Sequence, residues 1–124
     1  MSVFDKFTKL ELESKEYGFY WPDIKSTIRQ VLSELQEVEE VIEKNEGDAR
    51  LYEEIGDLMH AVCSLCLFCD FDPETALRLS TEKYEKRFNL MKKIAQDSGI
   101  ENFKAETMDV MMNFWNKAKL MQVK

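Results

Sequence analysis

From Ile24 to Ile42 the apolar residues recur in steps of four and three: Ile24, Ile28, Val31, Leu35, Val38 and Ile42. This rhythm lays one narrow stripe along an α-helix of about twenty residues. Related patterns follow at Leu51, Ile55, Leu58, Met59, Val62, Leu65 and Cys66, and at Leu77, Thr81, Tyr84, Phe88, Met91 and Ala95. Only four glycines and two prolines interrupt the 124 residues, and a third of them are charged. That balance belongs to long amphipathic helices rather than to a turn-rich β protein. The expected fold is all-α, in one domain spanning 1–124, with enough apolar residues to hide roughly two thirds of the unfolded-chain surface.

Five helices are predicted. The first runs from about Val3 to Tyr17 and stops at Gly18. The connector Gly18-Phe19-Tyr20-Trp21-Pro22 is apolar for a loop, and Pro22 is placed for the first turn of the second helix, which ends near Asn45-Glu46-Gly47. The third helix runs from about Asp48 to Cys69, and its second half is apolar nearly all round, which makes it central. Asp72-Pro73-Glu74 reads as N-cap, first-turn proline and first-turn acid of a long fourth helix that lasts to Gly99. A looser segment, Ile100 to Ala105, precedes a fifth helix carrying Met108, Met111, Met112, Trp115 and Ala118.

The second and third helices each carry two acids three residues apart beside the apolar stripe: Glu34 with Glu37, and Glu54 with Asp57. At about 100° per residue, Glu34 lies about 80° and Glu37 about 140° to one side of the stripe centre near Leu35 and Ile42. Glu54 and Asp57 fall at nearly the same offsets on the third helix. A short connection makes the two helices antiparallel neighbours, and a local pseudo-two-fold sends both pairs either into the shared seam or away from it. Sequence does not choose between these hands. Acids at such spacing are also common on solvated faces. If the pairs converge, four carboxylates share one cleft, which is tolerable only with cations present or protons retained. Such hard oxygen ligands suit Mg²⁺ or Mn²⁺, ions that also bind phosphate oxygens.

The formal charge of -7 repels a phosphate backbone, and no Lys/Arg-rich run offsets it, so a nucleic-acid polymer is not the expected partner. A nucleotide remains compatible, because divalent ions invert the field of an acidic cleft. The amino-terminal residues mix charges with apolar positions, unlike a signal peptide or a membrane span. Three cysteines between Cys63 and Cys69 suit a reducing, cytoplasmic setting. His60-x-x-Cys63-x-x-Cys66-x-x-Cys69 imitates a metal motif, but steps of three on a helix fan the side chains over half the circumference, so small core residues are the better reading of the cysteines. His60 itself lies off the stripe, either at plain surface or in a polar contact. The methionines of the fifth helix read as adaptable core or interface packing.

Glu34-x-x-Glu37 followed by Glu54-Ile-Gly-Asp57-Leu resembles the signature of the MazG-type all-α nucleoside triphosphate pyrophosphohydrolases. Gly18-Phe19-Tyr20-Trp21 is similar to that family's Gly-Phe-x-Trp element. Asp72-Pro73-Glu74-x-Ala76-Leu77 is similar to the loop and start of its fourth helix. Glu82-Lys83-Tyr84-Glu85-Lys86-Arg87-Phe88 is similar to Lys-Phe-x-x-Arg-Phe, and Trp115-Asn-Lys117-Ala-Lys119 to a terminal Trp-x-x-x-Lys. The likeness covers roughly Gly18 to Lys119.

The resemblance implies a MazG-like antiparallel four-helix-bundle core in a homodimer or homotetramer. It also implies magnesium-dependent cleavage of a nucleoside triphosphate between the α and β phosphates. Glu34, Glu37, Glu54 and Asp57 would be the metal ligands, with Glu37 or Glu54 also orienting or deprotonating the attacking water. Lys83 and Arg87, one turn apart, would meet the phosphates, with Arg50 where some relatives carry a basic residue. Taken alone, those two cations equally suit solvated pairs with Glu82 or Glu85. Trp21, Trp115, His60 and Ser64 would surround the base. Ser33 and Ser64 depart from the acid and the asparagine common at their positions, which leaves base preference open. The expected function is house-cleaning of unwanted or excess triphosphates. The alternatives are an enzyme for one pyrimidine deoxynucleotide (dCTP or dUTP) or for phosphoribosyl-ATP, and a non-catalytic helical interaction module.

Overall fold

The computed structural model describes residues 1–122 and contains five helices: α1 (Val3–Tyr17), α2 (Ile24–Glu43), α3 (Asp48–Phe68), α4 (Pro73–Asp97) and α5 (Met108–Gln122). There is no strand among the described residues, and the fold is all-α as the periodicity predicts. No helix among them is long and apolar enough to cross a membrane. The chain forms two compact units, one from Met1 to Ala76 and one from Leu77 onward.

Helix boundaries follow local chemistry. Ser2 caps α1 reciprocally with Asp5, its hydroxyl accepting from the Asp5 N–H at 3.1 Å. Gly18, at φ 101°, closes the same helix in the left-handed conformation that a Cβ disfavours. Asp23 caps α2, accepting from the Ser26 N–H at 2.8 Å and the Ser26 hydroxyl at 2.7 Å, and these bonds hold its carboxyl below the usual range. Pro22 therefore stands before the cap rather than in the first turn, because a carboxylate that can reach two donors outcompetes it for the boundary. Asn45 (φ 50°) and Gly47 (φ 100°) then reverse the chain into α3. At α4 the sequence expectation holds: Asp72 accepts from the Thr75 N–H at 3.0 Å, with Pro73 first in the helix.

α2 and α3 pack along each other as an antiparallel hairpin. The buried line of α2 holds Thr27, Val38 and Val41, with Gln30, Val31 and Glu34 half-buried; that of α3 holds Glu54, Ala61 and Ser64. The buried Thr27 hydroxyl donates to the Ile24 carbonyl at 2.6 Å. Burial of Val38 and of Val41 stabilises the hairpin by about 1.5–3 kcal/mol each. On both helices this line is turned toward the acid-bearing side of the expected stripe, keeping only Val38 of it fully buried on α2. Leu35 and Ile42 remain 43% and 60% exposed, and Ile55 and Met59 43% and 60%. The hairpin therefore seals along its acid-bearing flank and leaves its most apolar flank open. Cys63 and Cys66 are half-buried and Cys69 is exposed, so only the first two approach the expected core role.

In the second unit Met91 and Ala95 of α4 meet Phe114 and Ala118 of α5. Phe103 stacks on Phe114 with centroids 5.7 Å apart. Gly99 (φ 85°) ends α4, with the Ile100 N–H returning to the Ala95 carbonyl at 2.9 Å. Met111 is half-buried, whereas Met108 and Met112 stay exposed.

Candidate active site

Within the α2–α3 hairpin, Glu34, Glu54 and Asp57 each offer a carboxylate oxygen, and these oxygens lie within 4.8 Å of one another. The hand left open by the sequence is therefore the converging one for these three. Glu54 is buried, Glu34 half-buried and Asp57 exposed. Glu37, nearly one turn further along α2, is exposed and stands outside this group, although its charge bears on Glu34.

Partial burial raises the Glu34 carboxyl above its ordinary value, and Asp57, Glu54 and Glu37 push it further the same way. A hydrogen bond from Gln30 Nε2 to Glu34 Oε1, at 2.7 Å, opposes the shift. Arg50 Nη1 lies 2.9 Å from Glu54 Oε1 and 3.3 Å from Glu53 Oε1. It is one turn from Glu54 and countercharges the most buried acid. The three converging groups are all hard oxygen donors, which fits Mg²⁺ or Mn²⁺ and not a soft thiophilic ion.

Glu34 and Asp57 also line a cleft of about 870 Å³ within the first unit. Its walls come from α1 (Thr8, Glu11, Ser14), from the connector (Phe19, Tyr20, Trp21) and from α3 (His60, Ser64, Phe68), with Asp70 to Asp72 beyond. Trp21, His60 and Ser64, named from the sequence, thus share one cavity with two of the acids. His60 is not plain surface: its Nε2 lies 3.2 Å from Glu11 Oε1, and its ring meets Phe7 edge-on with centroids 4.7 Å apart. The Ser64 hydroxyl donates to the same Glu11 oxygen at 2.9 Å.

Glu11 and Gln30 were not singled out in the sequence. Gln30 could have been, standing one turn before Glu34. Glu11 carries no such signal, since its partner Ser64 is 53 residues away.

Lys83, Arg87 and Trp115 belong to the second unit. There Arg87 Nε donates to Gln122 Oε1 at 2.7 Å, and its guanidinium lies 5.1 Å from the Trp115 ring centre. Trp115 also packs against Tyr84 at 5.4 Å. Lys83 and Arg87 line one shallow groove with Leu79, Glu82, Lys86 and Gln122.

An all-α domain whose paired helices gather three acids at the side of a large, aromatic-walled cleft has a set of oxygen donors able to hold a metal ion. The family is narrower than that description. Residues 23–92 match the MazG nucleotide pyrophosphohydrolase domain, more than half of the chain, and the protein belongs to that family. It is 32% identical over 113 residues to the nucleoside triphosphate pyrophosphohydrolase/pyrophosphatase MazG of Thermotoga maritima, covering 90% of this chain and 42% of that relative. It is 28% identical over 116 residues to the nucleoside triphosphate pyrophosphohydrolase of Escherichia coli, covering 93% and 44%. A third relative, the uncharacterized protein YabN of Bacillus subtilis, is 32% identical over 68 residues, covering 53% and 13%. The chain thus spans less than half the length of each of these relatives. The family match contains Glu34, Glu37, Glu54, Asp57, Lys83 and Arg87, while Glu11, Trp21 and Trp115 fall outside it.

Proposed function

We propose that this protein hydrolyses nucleoside triphosphates between the α and β phosphates, yielding the monophosphate and pyrophosphate. The observation that carries the reading is the convergence of Glu34, Glu54 and Asp57 beside a cleft large enough for a nucleotide. These three would hold Mg²⁺ or Mn²⁺, with Glu37 adjoining. When bound, the ion supplies neutralisation of phosphate charge and acidification of a water. Glu37, exposed and outside the trio, is suited to take the proton of the attacking water. Glu54 is less free for that role, being engaged by Arg50. Arg50 correspondingly acts as a positioning countercharge for Glu54 rather than as a phosphate ligand.

Lys83 and Arg87 would bind phosphate oxygens. Trp21, His60 and Ser64 would enclose the base. The open apolar flank of Leu35, Ile42, Ile55 and Met59 supports association with a second copy, which would complete a four-helix core as a homodimer or a dimer of dimers. Three free cysteines suit a cytoplasmic setting for the proposed house-cleaning of the nucleotide pool.

The test is a pyrophosphate-release screen over ribo- and deoxynucleoside triphosphates and phosphoribosyl-ATP, run with Mg²⁺ and with chelator. Metal-dependent release supports the reading, and the preferred substrate separates broad house-cleaning from a dedicated dCTP, dUTP or phosphoribosyl-ATP enzyme. No release from any nucleotide would reject catalysis and leave a helical interaction module.

A further inference from the structure

Glu11 holds a place in the cleft that the proposed chemistry does not use. It sits on α1, and its Oε1 takes the Ser64 hydroxyl at 2.9 Å and lies 3.2 Å from His60 Nε2. Phe7 buttresses the His60 ring from the same helix. Ser64 is buried, and the Glu11 side chain keeps only 30% of its surface exposed, along a wall of the cavity. Its other oxygen, Oε2, makes no hydrogen bond among the described residues. The result is a fixed carboxylate with one acceptor to spare, in a cleft walled by Phe19, Tyr20, Trp21 and Phe68.

Placement along α3 adds to this. Asp57 of the acidic trio and Ser64, which holds Glu11, are seven residues apart, about two turns and about 10.5 Å of rise on one face. A nucleotide with its phosphates at the trio would carry its base toward Glu11, where the aromatic side chains offer stacking surfaces.

We propose that Glu11 is the base-selecting residue: its unengaged carboxylate oxygen accepts from the exocyclic amino group of cytosine or adenine and disfavours the oxo counterparts, uracil and hypoxanthine. This rests on the proposed nucleotide hydrolysis. An amino group offers N–H to a carboxylate, whereas an oxo group at the same ring position meets it with lone pairs, and the nearest donor moves to the adjacent ring nitrogen. A carboxylate bonded at Oε1 by the Ser64 hydroxyl does not follow that move freely. Rejection comes from the charged acceptor left desolvated and unpaired.

The test compares kcat/KM within two pairs, CTP with UTP and ATP with ITP, for wild type, Glu11→Gln and Ser64→Ala, with thermal melts of each variant. The wild type should favour the amino member of each pair by about tenfold or more. Glu11→Gln, whose amide can also donate, should bring the ratios to about one or invert them, chiefly through KM. Ser64→Ala, which releases the carboxylate, should narrow them and serves if Glu11→Gln does not fold. Equal rates within both pairs, or ratios unchanged in folded variants, overturn the proposal while leaving pyrophosphohydrolysis intact. If no nucleotide is turned over, the proposed activity fails on its own. Calorimetric binding of the α,β-methylene analogues of CTP and UTP then decides base selection: tighter binding of the cytosine analogue by about tenfold supports it, and equal affinity overturns it.

Discussion

Arg50 Nη1 lies 2.9 Å from Glu54 Oε1, pairing a half-open guanidinium with the most buried acid of the site. The pair spans one turn of α3 and reduces the repulsion that three converging carboxylates exert on each other. Arg50→Gln should lower the melting temperature of chelator-treated protein, because Glu54 is left buried without its countercharge. Added Mg²⁺ or Mn²⁺ should recover most of the loss. Equal melting of variant and wild type in chelator would contradict this role.

Metal affinity should be graded among the acids. Glu34→Gln, Glu54→Gln and Asp57→Asn each remove one of three converging oxygens. Each should cut kcat/KM by on the order of 10²-fold or more and weaken Mn²⁺ binding, measured by the free-ion resonance signal or by calorimetry. Glu37→Gln, outside the trio, should lower kcat while weakening Mn²⁺ binding by less than any of the three. A Glu37 variant that binds Mn²⁺ worst of the four would refute this grading.

Stability of the metal-free protein should depend on Glu34 with a definite sign. Burial, together with Asp57, Glu54 and Glu37, raises its native value above the ordinary 4.5, so the native state holds this proton more tightly than the unfolded chain does. The contribution is complete below pH 4.5 and disappears as pH rises through the native value. Thermal melts in chelator should therefore show wild type losing stability relative to Glu34→Gln as pH increases from 4.5. A divalent ion favours the ionised carboxylate and should reverse the slope. A wild-type-minus-variant difference that stays flat in chelator would count against it.

The open flank of the hairpin makes a separate prediction. Leu35→Glu combined with Met59→Glu places charges on side chains that are 43% and 60% exposed in the single chain. Sedimentation velocity should then report a monomer where wild type sediments as a dimer or larger assembly, with helix content retained by circular dichroism. A wild type that is monomeric at micromolar concentration would dispose of the dimer outright.

The core of the second unit should be sensitive to truncation. Phe114 is 6% exposed and stacks on Phe103, so Phe114→Ala should cost about 3–5 kcal/mol in urea denaturation. A loss under about 1 kcal/mol would mean that the site collapses around the missing ring.

Helix positions were legible because apolar periodicity and end signals agree: Gly18, Gly47, Asp72-Pro73 and Gly99 all stand at boundaries. The buried side of α2 was legible only in part, at Val38. Periodicity shows where apolar residues lie around an axis, not which part of the stripe the same chain covers. Leu35 and Ile42 fit the pattern and remain open, while Thr27, outside it, is buried with its hydroxyl bonded to the preceding turn. In the site, matched offsets brought Glu34, Glu54 and Asp57 into view together, since one rotation angle governs both helices. They did not separate Glu37, whose distance from the trio depends on how the helices pass each other. Arg87 and Gln122, bonded across 35 residues, illustrate the same limit.

α1 has no buried residue and is tied to α3 by Glu11 and by the contact of Phe7 with His60. Within one chain it forms one wall of the cavity without a buried side chain of its own. Its amides should exchange with solvent before those of α2 and α3, and an occupant that bonds to Glu11 would act as the latch.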